Sequence, residues 1–360
     1  MATFGDLLRL ARQFRSLTQR DTAAKLNIPQ TLLSRLENDL VEPDQKLIQR
    51  ASDCFNLPIP FFSIPDRVYG PPVSVHTMFR GNKSEVSAPV IDQITAELNI
   101  RIFHLNRLLQ QVDIHAKTEV PNLPYDEWES AEEIANKVRS FWRVPSGPIK
   151  NLTRLIEEAG IIIGETNFNG LSISGVTFAA PGKPPIFLIN KEHPADRIRF
   201  TLAHELGHLV MHRFPSPTME DEANQFASAL LLPRNEMQQV FSGRKITLEL
   251  LASLKKEWKA SMQSLLMCAN DMGFLTPNQN RYLWQQISKR GWRLKEPASL
   301  DIAFEPPSVL PSIIKAHLKE LSFSFEEVLK ITSFNKPDFV ALYGDFEEKQ
   351  PTRPTLRIVS

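Results

Sequence analysis

The sequence predicts a mainly α fold with one small β-sheet: an all-helical head, an α+β middle and a helical C-terminal region. Three observations predict it. Apolar residues recur at three- and four-residue spacing over most of the 360 residues, the spacing of amphipathic helices. That period breaks once, between residues 161 and 190, where short apolar runs are separated by Gly, Asn and Pro as strands are by turns. Capping residues and prolines, Thr18 and Pro233 among them, punctuate the helical stretches.

Composition narrows the functional classes. The 42 Lys and Arg nearly cancel the 41 Asp and Glu, so no global field draws the chain to nucleic acid or membrane, and any DNA contact is local. No run approaches the ~18 apolar residues of a membrane span, and the first residues lack a basic n-region and an apolar h-region. Cys54 and Cys268 stand far apart in unrelated patterns. This suits a reducing cytoplasm and leaves no cysteine-based zinc site. The expectation is a cytoplasmic protein with no membrane partner.

Residues 1–65 read as a compact helical domain. Phe4, Leu7, Leu8, Ala11 and Phe14 form an apolar stripe, with Arg9, Arg12 and Arg15 facing away. A short helix capped by Thr18, a turn at Asn27-Ile28-Pro29 and a second helix opening at Gln30 follow, the order of a helix-turn-helix whose second helix enters the major groove. The pattern resembles the phage-repressor (Xre/Cro-like) helix-turn-helix family over about sixty residues. The resemblance implies that Gln19 and Gln30 contact phosphate and base edge, and that Thr31, Ser34 and Arg35 line the recognition face. Glutamine can read adenine bidentately, and Arg35 can read guanine or grip phosphate. Against eight Lys and Arg this region sets seven Asp and Glu, and Asp39 stands where the family usually has glycine. A head that docks protein instead of DNA stays open.

Residues 66–120 read as a linker and a connecting helix. Pro58 through Pro72 has the composition of a linker, and Ala88–Asp113 carries helical periodicity in Ile91, Ile94, Leu98, Ile102, Leu105, Leu108 and Leu109. The apolar face of that helix calls for a neighbour or a second subunit, as a homodimer would provide. Residues 126–145 form a further helix with Trp128, Ala131, Ile134, Val138 and Trp142, and residues 150–159 another, ending at Gly160. Ile161–Gly164, Leu171–Phe178 and Pro185–Asn190 read as three strands. A small sheet beside the next helix offers an edge to which an extended peptide can add.

That helix carries the chemistry. Thr201-Leu-Ala-His204-Glu205-Leu-Gly-His208-Leu-Val210 contains H-E-x-x-H, which places two imidazoles one turn apart on one face, in reach of one Zn²⁺. Glu205, turned about 100° from His204, can take a proton from a metal-activated water without being a ligand. A third protein ligand is needed. Phe214 occupies the position where a metzincin has its third histidine, and His212 lies ~12 Å along the axis from His204, too far to share the ion. Downstream, Thr218 and Asp221 read as an N-cap pair and Pro233 as a stop. On the helix between them Glu222 shares a face with Phe226, Ala229 and Leu230, and an acid pointing inward needs a cation. The cluster Glu220, Asp221 and Glu222 also suits the positive end of a helix dipole.

Arg197 through His208, followed by Glu222-Ala-Asn-Gln-Phe-Ala-Ser-Ala-Leu-Leu-Leu-Pro233, resembles the ImmA/IrrE metallopeptidases, from about residue 125 to 240. The resemblance implies a zincin-like peptidase domain over 121–240, with His204, His208 and Glu222 as zinc ligands and Glu205 as general base. It also implies a protein substrate that is a helix-turn-helix repressor, destroyed on a stress signal or a mobile element's cue. Two other readings are a DNA-binding regulator whose peptidase-like domain is a sensor or dimer platform, and an antitoxin-like protein whose head grips a partner. Residues 241–295 read as a helical extension of the peptidase domain, with a helix pair in 247–275 mildly reminiscent of a second helix-turn-helix. Residues 296–360 read as a small separate module with helices at Pro311–Leu321 and Ser324–Ile331, and a loose end from Gln350.

Overall fold

The computed structural model describes residues 1–71, 87–127, 130–168 and 173–346. Pro72, Trp128, Leu171, Ser172 and the end from Gln350 to Ser360, each named in a sequence expectation, lie outside the described residues. The chain is mainly helical with one three-stranded sheet, as predicted, and divides into two compact units.

The first unit joins residues 1–68 and 99–113 with the chain from 311 onward. Helices α1 (Phe4–Phe14), α2 (Gln19–Lys25), α3 (Gln30–Glu37) and α4 (Gln45–Phe55) form the head. Thr3, Thr18 and Asp44 cap α1, α2 and α4 by accepting backbone N–H groups, so three helix starts are written in local side-chain chemistry. Glu37 is the polar centre of the head and is 1% exposed. Its carboxylate accepts from Arg12 Nε at 2.6 Å, Arg12 Nη2 at 3.0 Å and Gln19 Nε2 at 2.9 Å, tying α1, α2 and α3 together. Asp39 adopts φ +56°, and its carboxylate accepts from the Thr3 hydroxyl at 2.6 Å and the Gly5 amide at 3.1 Å. The Asp39 charge therefore lies at the positive end of α1. A Cβ on Gly5 would meet the Leu36 carbonyl oxygen at 2.3 Å, so glycine is needed for α1 to approach α3.

The C-terminal helices pack with the head and do not form the separate module expected at 296–360. Arg15 makes two contacts of 2.6 Å to the Asp338 carboxylate, a forked pair, and Phe334 packs near Phe14 and Phe61. Helices α14 (Val309–Lys319) and α15 (Phe325–Thr332) appear where predicted, and a third, α16 (Lys336–Tyr343), follows. Helix α5 (Ala88–Leu108) gives its first half to the second unit and its second half to the first. It is buried on nearly every face, polar Asn99, Arg101 and His104 included, so the apolar stripe expected to pack on a neighbour or a second subunit is covered within the chain.

The second unit spans 69–98 and 114–310. Helices α6 (Ala131–Phe141) and α7 (Leu152–Glu158) precede the strands β1 (Ile162–Thr166), β2 (Gly175–Phe178) and β3 (Ile186–Asn190). The order is β1-β3-β2, with β1 parallel and β2 antiparallel to β3. Central β3 is buried at every residue, and β2 stands at an edge. Helices α8 (Ala195–Met211) and α9 (Met219–Leu231) form the core with α6. Helices α10 (Arg234–Phe241), α11 (Leu248–Trp258), α12 (Met262–Asp271) and α13 (Pro277–Lys289) extend it. Residues 296–305 belong here because their acids are buried partners. Glu296 accepts from Lys255, and Glu305 from Arg199, which reaches from α8.

Candidate metal and DNA sites

Helix α8 is placed by two close approaches that glycines permit. A Cβ on Gly207 would lie 3.0 Å from Phe226 Cδ1 of α9, and one on Gly175 would lie 2.5 Å from Thr201 Cγ2. The first glycine lets α9 press onto the histidine-bearing face, and the second lets β2 cross directly over Glu205.

His204 and His208 converge as expected, their Nε2 atoms 3.0 Å apart. The acid that meets them is Glu220: Oε2 lies 3.4 Å from His204 Nε2 and Oε1 lies 3.4 Å from His208 Nε2. These three side chains form the one group among the described residues whose ligand atoms all lie within 4.8 Å of one another. Glu222, the expected third ligand, is not part of it. Glu222 is buried, as its alignment with Phe226 implied, but its Oε2 sits 2.9 Å from His212 Nε2. The physical reason is where the two acids lie on the helix: Glu220, its side chain 34% exposed, sits at the seam between α9 and the histidine-bearing face, while Glu222, aligned with the deep apolar face, finds a buried partner. Glu220 and Asn224, four residues apart, make that seam, and Asn224 Oδ1 lies 3.0 Å from His204 Nδ1.

The hydrogen-bond pattern assigns the tautomers. Asn224 Oδ1 can only accept, so His204 carries its proton on Nδ1 and turns a lone pair out at Nε2. A carboxylate also only accepts, so His212 Nε2 donates to Glu222. The Nδ1 of a neutral His212 then accepts from His208 Nδ1, 3.0 Å away, and His208 too is left with a lone pair at Nε2. Two acceptors facing each other at 3.0 Å repel unless a cation or a shared proton lies between them. Burial, then the charge on His204, pushes His208 down to about 3. Burial also presses on His204, but the Glu220 hydrogen bond with the charges of Glu205 and Glu220 outweighs it and raises that imidazole.

Glu205, beside this cluster, packs against β2 and is 1% exposed. Burial raises it above the usual carboxylate range, against the His204 charge and a hydrogen bond from Thr177. Thr177 Oγ1 donates to Glu205 Oε2 at 2.5 Å. Sequence reasoning missed Thr177 and Gly175, because their role depends on the register of β2 over α8. A cavity of about 380 Å³ opens alongside, lined by Phe178, Leu209, Met219, His208, Thr177 and Tyr69.

In the head, Gln30, Thr31 and Arg35 are exposed on α3, and Ser34 is half-buried. Gln19 turns inward to Glu37, so its amide is committed to the head's own frame.

Residues 156–269 match the family described as the IrrE N-terminal-like domain (peptidase M78), and residues 8–62 match the helix-turn-helix family. No curated relative matches the chain. The two matches, in this order, are those of an ImmA/IrrE-type protein with an N-terminal helix-turn-helix domain. The chain thus joins a DNA-binding type of head to a metallopeptidase-type domain, and no described helix is long and apolar enough to cross a membrane.

Proposed function

We propose that the chain is a zinc-dependent endopeptidase that cleaves a helix-turn-helix repressor, and that its own head recognises operator DNA. The observation that carries the reading is the convergence of two imidazole lone pairs and one carboxylate on a point beside a separate, buried glutamate. The donor set fits zinc: two neutral Nε2 atoms and the Glu220 carboxylate would hold it, and the mutual repulsion of the lone pairs is relieved by a cation. When bound, the metal supplies Lewis acidity that polarises a peptide carbonyl and makes water nucleophilic near neutral pH.

This chain's own residues do the rest. Glu205, held by Thr177, takes the proton of the attacking water and passes it to the leaving amine; a raised carboxylate suits both halves of that task. The outer edge of β2 offers backbone groups to an extended segment of substrate, and the adjoining cavity is large enough for an apolar side chain. The head's exposed Gln30, Thr31 and Arg35 are proposed as base-edge contacts. The two unpaired thiols, Cys54 and Cys268, and a helix-turn-helix head favour the cytoplasm.

The test pairs metal with turnover. Purified protein should carry about one zinc per chain, lost in His204→Ala, and Glu205→Gln should keep zinc while repressor cleavage falls about 10²–10⁴-fold. Repressor cleaved equally fast by Glu205→Gln, with zinc bound in both, would instead support a sensor or scaffold.

A further inference from the structure

We infer that His212 and Glu222 form a positioning relay that holds His208 in the one tautomer able to ligate metal. The inference rests on the proposed metal site and deepens it. The chain of contacts runs from Glu222 Oε2 to His212 Nε2 at 2.9 Å, then from His212 Nδ1 to His208 Nδ1 at 3.0 Å. Each link leaves one direction for the proton. The carboxylate end is acceptor-only, so His212 donates its Nε2–H and offers Nδ1 as an acceptor, and His208 must donate from Nδ1. The Nε2 lone pair of His208 is thereby aimed at His204 and Glu220. A free imidazole prefers its proton on Nε2, the tautomer that would block the site, so this orientation has to be imposed.

The fold imposes it at the end of α8. His212 is the C-terminal cap, with extended backbone at φ −108° and ψ 106° and its amide donating to the His208 carbonyl. Leaving the helix there swings the His212 ring back over His208 instead of continuing along the stripe. The His212 side chain is 4% exposed and that of Glu222 10%, so water does not compete for the relay. His204 gets the same service from Asn224 by a single hydrogen bond. Outer partners of this kind, a carboxylate orienting a metal-binding histidine, typically change metal affinity 10–100-fold when removed.

Four single variants of the full chain test the relay: Glu222→Gln, Glu222→Met, His212→Phe and, as reference, Glu220→Gln. Zinc affinity is measured by competition with a chromophoric chelator, and the His208 tautomer by its two ¹⁵N shifts in the metal-free protein. Glu222→Gln keeps an acceptor and should stay within about threefold of wild type. Glu222→Met and His212→Phe should weaken zinc by about 10–100-fold and move His208 toward the Nε2-protonated form. Glu220→Gln should lose the most zinc and leave the tautomer alone. Unchanged tautomer and affinity in Glu222→Met and His212→Phe would overturn the relay. So would a zinc loss in Glu222→Gln as deep as in Glu220→Gln, since Glu222 would then be a ligand. If the wild-type chain takes up no zinc, the metal reading fails, and the ¹⁵N shifts still decide whether the relay orients His208.

Discussion

The chemistry of single residues here is set by what each side chain faces. Thr177 Oγ1 donates to the buried Glu205 carboxylate at 2.5 Å. A hydrogen bond to a charged group contributes about 1.5–3 kcal/mol. Thr177→Val should therefore lower the rate of repressor cleavage about 10–100-fold without releasing zinc, and Thr177→Ser should restore most of it. Steady-state cleavage with metal content measured in parallel checks this; equal loss in the serine variant would show that the methyl group, and not the hydroxyl, matters. In the first unit His104 is 1% exposed, with Nδ1 2.8 Å from the Tyr343 hydroxyl. Burial, then the charges of Arg107 and Arg101, holds it well below its ordinary 6.5. The unfolded chain thus takes up a proton near pH 6.5 that the folded unit refuses. Stability contributed by neutral His104 is complete above that pH and declines as pH falls, by at most about 1.4 kcal/mol per pH unit. Urea unfolding at pH 7.5 and 5.5 should show a drop that shrinks in His104→Gln; an equal drop in the variant would assign the acid sensitivity to other groups.

At the scale of elements, the site is a consequence of how closely β2 and α9 approach α8. Gly175→Ala would put a methyl carbon 2.5 Å from Thr201 Cγ2 and 3.2 Å from the Glu205 side chain. The strand has to lift, at a cost of about 1–3 kcal/mol, and Thr177 lifts with it. The expected outcome is a lower melting temperature together with a cleavage defect like that of Thr177→Val. A variant as stable and active as wild type would mean that β2 does not bear on the general base. The same dependence explains what could be read in advance. H-E-x-x-H was legible because a four-residue spacing brings His204 and His208 together within one helix, whatever else the chain does. The helix-turn-helix was legible because Thr18 and Pro29 mark its boundaries locally. The third acid was not: three acids stand together at 220–222, and only the crossing of α9 over α8 decides that Glu220 meets the histidines while Glu222 meets His212. The apolar alignment of Glu222 indicated its burial, and the partner that this buried face supplies is His212.

Across the whole molecule, what escaped the sequence was the assignment of distant segments to units. Arg15 and Asp338 are 323 residues apart, and no spacing rule links them. That pairing bears on how the head can meet DNA. Of its eight Lys and Arg, Arg9 and Arg12 are tied to Glu37, Arg15 to Asp338, and Arg50 to the Leu26 carbonyl. Arg20, Lys25, Arg35, Lys46 and Arg50 are the exposed ones. With at most about five cations to displace counterions, the head should give a slope of log affinity against log salt no steeper than about −4.5. Binding with so small an electrostatic share depends more heavily on base contacts. Arg35→Ala should therefore cost about 1–3 kcal/mol on the preferred operator and flatten the slope by about one, while zinc content and repressor cleavage stay at wild-type levels. Fluorescence anisotropy on operator and scrambled duplexes across a salt series measures both quantities. An unchanged affinity and slope in Arg35→Ala, with the head folded, would assign the exposed face of α3 to a protein partner instead of DNA.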